Sequence, residues 1–301
     1  KPLLKATEFV EQHDMDPETF SLELPPDQLF GPLQFEDQMK FLLEALKTDN
    51  ELGDGYLARM CIDHMDMSLD APPPGDKLEA HGGKWLLDFA VSDFTETRVP
   101  RKHKFFTADA LIRVVNWMAN RPKLAEHFVQ DHDGVNLLFR ALKAANEMYS
   151  RIMVLRILTL FSFEQRNDGD IEKRILMGNH LPEILWAYKD SSGDPTETRL
   201  ITMLLSSVMR HFPAAVDNVE ILEDMTFHAV HNLNIARYKG IPHHLRVIDD
   251  LRNLPFQKEN PHKIDKMLYE AELIPVSMGI IDVFPEYYEA CGSLIKLLDD
   301  T

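Results

Sequence analysis

The feature that most constrains this chain is a recurring order of helical segments between Thr107 and Leu233. Apolar residues repeat there at three- and four-residue spacing, in segments that run long, medium and short and then start again. Thr107 is a suitable N-cap for a helix over 108–119, and Pro122 opens the next, which stops at Gly134. A third segment covers 135–144. The same order returns as 147–163, 170–177 and 181–189, and again as 197–211, 213–222 and 225–233. Aligning the long segments places Arg113 and Arg156 43 residues apart, with Thr202 46 residues further on. Val135 and Leu181 are likewise separated by 46 residues. Helical repeats of the armadillo and HEAT kind recur every ~40–47 residues, because each unit has an apolar side that only a neighbour can bury. Alternating β-branched runs bounded by hairpin turns are lacking. The expected fold is all-α, an armadillo/HEAT-like right-handed helical solenoid.

Upstream, residues 1–34 carry five prolines among scattered acids and read as a loosely structured lead-in with one short helix near 4–12. Met39, Leu42, Leu43 and Leu46 mark a helix over 35–47. Another is expected over 52–67, stopped by Pro72-Pro73-Pro74. A third covers 85–94 and precedes a basic loop at 98–104. Past Asn234 the pattern loosens into helices at 243–254, 261–271, 274–283 and 286–298. The last three read as the atypical units that close a solenoid. Residues 35–301 are thus expected to form a single armadillo-like helical-repeat domain with C-terminal capping helices.

With 32 basic and 49 acidic residues the formal charge is −17. Phosphate neutralisation needs the opposite sign, so nucleic acid is not an expected partner, and anionic membrane surfaces are disfavoured likewise. No apolar run reaches the ~18 residues of a spanning helix, so membrane insertion is not expected either. The chain opens at Lys1 without an apolar leader and reads as a processed product, which leaves the compartment open. Cys61 and Cys291 are either two free thiols or one long-range disulfide. The absence of an Asn-x-Ser/Thr acceptor adds nothing about secretion.

Phosphate-binding glycine loops, a nucleophile elbow and a zincin helix are all missing from the sequence. His228 and His231 lie one turn apart, close enough to share a metal, but read first as groove or surface histidines without a third ligand. Cys61, Asp63, His64 and Asp66 form a mixed cluster that reads the same way. Asn167-Asp168-Gly169-Asp170 resembles part of a calcium loop without its remaining ligands, and reads as an inter-helix turn. His243-His244 after Pro242 reads as a polar helix opening. The expectation is a binding protein, not an enzyme, with no cofactor and no metal.

In an armadillo unit the long helix lines the concave groove. Its core face here is Leu111, Val114, Val115 and Met118, then Val154, Leu155, Ile157, Leu158 and Phe161. The positions left for the groove are Arg113 and Trp117, then Arg156 and Leu160, then Thr202 and Ser206. A tryptophan and two arginines are typical anchors for a protein partner. Trp117 reads equally as a core residue.

Three passages carry a family resemblance: Leu42 through Gly55, Ala110 through Val129, and Ser150 through Phe161 followed by His180 through Trp186. Over roughly half the chain they resemble the armadillo-type nucleotide exchange factors of Hsp70 chaperones, most closely the endoplasmic-reticulum members. The resemblance implies a co-chaperone that clasps the nucleotide-binding domain of an Hsp70 (BiP in that compartment) and opens its cleft to release ADP. It also implies the endoplasmic-reticulum lumen, with a cytoplasmic relative as the alternative. A general armadillo scaffold for a non-chaperone protein is the other reading.

Overall fold

The structure, a computed structural model, describes residues 35–53, 55–64, 75–96, 106–146, 149–164, 169–190, 194–255, 260 and 262–299. The lead-in at 1–34, the triple proline, the basic loop at 98–104 and Asn167-Asp168 lie outside the described residues. Among those described, sixteen α-helices and three single-turn 3-10 helices account for the regular structure, and there is no strand. The all-α expectation holds.

In chain order the helices are α1 (Phe35–Leu52), α2 (Tyr56–His64), α3 (Gly75–Ala80), α4 (Gly83–Thr95), α5 (Ala108–Met118), α6 (Pro122–Asp131), α7 (Gly134–Ala144) and α8 (Ser150–Glu164). They continue as α9 (Asp170–Met177), α10 (Leu181–Asp190), α11 (Pro195–His211), α12 (Val219–Ile235), α13 (Ile241–Arg252), α14 (Lys263–Glu270), α15 (Leu273–Val283) and α16 (Tyr288–Asp299). Two compact units divide them, one ending at Leu160 and the other beginning at Phe161.

In the first unit α1 packs along α2, α4 along α5, and α5, α6 and α7 pack on one another pairwise. The α5–α7 trio has local causes. Thr107 Oγ1 accepts the Ala110 N–H at 3.1 Å and caps α5. Pro122 stands in the first turn of α6, where its missing N–H costs nothing. Leu111, Val114, Val115 and Met118 are buried as their spacing predicts, and so are Val154, Leu155, Ile157 and Leu158 on α8.

The α6–α7 turn is the tightest of these joints. Asp133 sits in the left-handed region at φ 51°, and Gly134 follows with no room for a side chain, since a Cβ there would run into the Phe128 ring and carbonyl. Gly134→Ala is therefore expected to destabilise the first unit by about 1–3 kcal/mol, the usual cost of overpacking. Denaturant titration of the full chain checks it, with Gly53→Ala as the contrast, where the Cβ meets nothing and only backbone strain remains.

Buried polar groups tie helices that are distant in sequence. Asp109 on α5 accepts from the Asn146 N–H at 3.0 Å and from Ser150 Oγ at 2.6 Å, which seats the start of α8. In the second unit Glu172 on α9 is buried and accepts from Ser207 Oγ of α11 at 2.6 Å and from Ser162 Oγ. That unit's core is carried by α11 against α13 and by α12 against α13, α14 and α15, while α16 packs on α15.

The third run of the long–medium–short order does not occur. Pro213–Ala215 is a single 3-10 turn, and one 17-residue helix, α12, replaces the expected pair at 213–222 and 225–233. Asn218 Oδ1 accepts the Glu220 N–H at 2.9 Å and starts that helix late. Leu222, Met225, Thr226, Ala229, Val230 and Leu233 then form one unbroken buried stripe, so Glu223 and Asp224 lie mid-helix and do not end it. Near the N-terminus α1 runs to Leu52, and α2 starts only at Tyr56, after Gly55 at φ 70°.

Candidate functional site

The six groove candidates divide by burial. Trp117 is 3% exposed, Thr202 1% and Ser206 2%. All three are buried, so Trp117 sits where its core reading put it, while Thr202 and Ser206 do not face a groove. Nearly every side chain of α5 is buried, and on α11 Thr202 and Ser206 fall within the largely buried run between Ile201 and Met209. Thr202 turns its Oγ1 back onto the Arg199 carbonyl at 3.0 Å, a self-satisfying bond within the helix. The Ser206 Oγ meets no partner among the described residues. Arg113 is half-buried and donates from a guanidinium NH to the Ile62 carbonyl at 3.3 Å, which bridges α5 to α2. Arg156 and Leu160, one turn apart on α8, are half-buried like Arg113.

The other sequence candidates also resolve. Cys61 and Cys291 are free, and burial pushes the Cys61 thiol well up, with the nearby Asp49 charge adding to the effect. The side chains of Asp63 and His64, and Asp66 altogether, lie outside the described residues. His228 faces Asp224 at 3.5 Å, and its ring meets His231 edge-on with centroids 6.4 Å apart. Gly169 at φ 85° makes the inter-helix turn, and Asp170 opens α9 and pairs with Arg174 at 2.9 Å. His243 and His244 lie in the first turn of α13 as expected, but His244 is buried, with Nδ1 3.3 Å from the Tyr188 hydroxyl.

One constellation was not anticipated. Asp88 on α4, His127 on α6 and His132 just past the end of α6 converge in the first unit, their donor atoms all within 4.8 Å of one another. His127 Nε2 lies 2.5 Å and His132 Nε2 2.6 Å from the same oxygen, Asp88 Oδ1. The other His127 nitrogen, Nδ1, is 2.6 Å from Asp131 Oδ2. The two rings meet edge to face with centroids 4.8 Å apart. Partial burial alone would raise the Asp88 carboxyl, but the hydrogen bonds and charges of the two histidines hold it below the ordinary carboxylate range. Among the described residues this is the one such group with metal-ligand chemistry. Its trace in the sequence is His127-x-x-x-Asp131-His132, which puts a histidine and its carboxylate one turn apart and a second histidine at the helix end. Asp88, 39 residues upstream of His127, has no local signal at all.

The second unit leaves large apolar side chains in water. Met177 at the end of α9 is 78% exposed and Trp186 on α10 is 60% exposed. Trp186, Pro182, Glu183 and Asn179 line a surface hollow of about 260 Å³.

Comparison of the chain with protein-family models, with curated proteins and with solved structures finds no match in any of the three.

Proposed function

We propose that this chain is a non-enzymatic protein-binding module of the armadillo/HEAT kind, and that its partner is the nucleotide-binding domain of an Hsp70. The observation that carries the binding role is the exposed Trp186, which lines the hollow with Asn179 and Pro182 on a unit that also exposes Met177. Tryptophan and methionine are enriched at protein interfaces, and a truncation-sensitive aromatic beside a shallow pocket is the usual form of an interface anchor. The two successive three-helix runs, α5–α7 and α8–α10, support a right-handed solenoid built on residues 35–301. The choice of an Hsp70, and of the endoplasmic-reticulum lumen, rests on the sequence resemblance. A clamp that favours the open form of such a domain shifts its population and releases ADP without touching the nucleotide.

Size-exclusion chromatography of the chain with an isolated Hsp70 nucleotide-binding domain is expected to give a 1:1 complex. Trp186→Ala should weaken that complex by about 2 kcal/mol, as for a hot-spot aromatic. Arg156→Glu should weaken it as well if the groove reading of Arg156 holds, since the substitution reverses the charge of a half-buried residue on α8. Arg113 is a poor probe, because removing it also breaks the bond to Ile62. Co-elution that is indifferent to Trp186→Ala would reject the Trp186 surface as a binding surface, and indifference to Arg156→Glu would do the same for Arg156.

A further inference from the structure

We propose that Asp88, His127 and His132 form a binding site for a divalent transition-metal ion of the zinc class, with Asp131 orienting His127 from behind. Two imidazole nitrogens and one carboxylate are a donor set that such ions take, and three protein ligands leave a fourth position for water. Asp131 on the far nitrogen of His127 matches the carboxylate–histidine–metal arrangement, in which the second carboxylate fixes the tautomer and makes the ligand nitrogen more basic.

The proton inventory of His127 points the same way. Both of its ring nitrogens face carboxylate oxygens, at 2.6 Å and 2.5 Å. A neutral imidazole carries one N–H, so if Nδ1 donates to Asp131, the Nε2 lone pair is aimed at an Asp88 oxygen. A proton on Nε2 would satisfy that contact by making His127 an imidazolium bridging the two carboxylates. A divalent ion held by Nε2 and Oδ1 would take the place of that proton, with the Asp88 and Asp131 carboxylates offsetting its charge. Around a tetrahedral zinc, ligand atoms stand about 3.3 Å apart given bonds of ~2.0–2.1 Å. The two His–Asp separations, 2.5 Å and 2.6 Å, need to open by under about 1 Å. Asp88, whose side chain is 42% exposed while His127 and His132 are mostly covered, is the ligand free to make that shift. The same exposure puts the open coordination position on the solvent side.

His132 is held in place by the turn that follows it. The left-handed Asp133 and the side-chain-free Gly134 fold the chain back against Phe128, so His132 presents Nε2 towards α4 in place of extending α6. Asn136 Nδ2 donates to Asp133 at 2.7 Å and pins the same turn.

The test is calorimetric titration of the full, chelator-treated chain with Zn²⁺, and with Mg²⁺ as the control. The wild type is expected to take up one equivalent of Zn²⁺ and no Mg²⁺. His127→Ala and His132→Gln should each weaken uptake by at least about tenfold, and Asp131→Asn by about 10- to 100-fold. Histidine side-chain NMR of the wild type provides a readout that does not depend on the variants folding. Zn²⁺ should shift the Nε2 resonances of His127 and His132 and leave Nδ1 of His127 protonated. Failure of the folded wild type to bind one equivalent would overturn the site. So would unchanged affinity in a folded histidine variant, or a His127 that stays imidazolium, bridging the two carboxylates, in saturating Zn²⁺.

Discussion

Replacing Asp49 by alanine is expected to cost the first unit about 3 kcal/mol, from two hydrogen bonds to a buried carboxylate at about 1–3 kcal/mol each. Asp49 sits near the end of α1, wholly buried, and its two oxygens accept from backbone groups that open α2. Oδ1 takes the Leu57 N–H at 3.3 Å and Oδ2 the Ala58 N–H at 2.5 Å. Those are the second and third residues of α2, whose N–H groups have no partner within the helix. Gly55 directly before the helix has no side chain to cap with, so a carboxylate from the preceding helix does the capping, where the helix dipole also favours negative charge. Alanine removes both acceptors and leaves buried donors unsatisfied. The melting temperature should fall by about 10 °C. Asparagine keeps one acceptor and should recover about half of the loss. Hydrogen exchange at Leu57 and Ala58 separates this cause from general destabilisation, because those amides should lose protection first.

The second large effect is on the pH dependence of the second unit. His244 is buried beside the Tyr188 hydroxyl, and burial, helped by the neighbouring His243, lowers its pKa from 6.5 to about 4. The folded state therefore refuses a proton that the unfolded chain accepts. Above pH 6.5 the residue is neutral in both states and contributes nothing to the slope. As the pH falls from 6.5 to about 4, stability drops by about 1.4 kcal/mol per pH unit, about 3 kcal/mol in all, and then levels off. His228 and His243 are shifted downward by partial burial as well and add to the same window. Denaturant midpoints at pH 7.5 and pH 5 should differ markedly in the wild type. His244→Gln removes the ionisation, and the difference should shrink by about 2 kcal/mol. An unchanged difference would show that His244 is not the residue responsible.

Much of this fold was legible from local signals. Thr107, Pro122 and Gly134 mark the ends of α5–α7, and the boundaries of α9 are those read from its apolar spacing. The errors fall where a local cue had two meanings. Glu223 and Asp224 read as a break between helices, yet they are the wet side of α12, whose buried stripe continues past them. Pro213 marks a helix start in many contexts, but here it starts one 3-10 turn because Asn218 captures the N-cap further on. Groove and core positions were harder to separate. The middle of a long helix in a repeat has few wet positions, so spacing alone left Trp117 between groove and core and did not place Thr202 and Ser206 in the core. The Asp88–His127–His132 cluster was hidden for a different reason, since two of its three members come from helices 39 residues apart that only packing brings together.

The central claim, that this chain is a protein-binding module acting on an Hsp70, is tested most directly by ADP release. A purified endoplasmic-reticulum Hsp70 is loaded with labelled ADP and chased with unlabelled ATP, with and without this chain. The account predicts release accelerated at least tenfold, saturating with added chain, and reduced towards the spontaneous rate by Trp186→Ala, in keeping with the hot-spot loss of about 2 kcal/mol. An unchanged release rate over the full range of chain added, together with no complex on size exclusion, would contradict it.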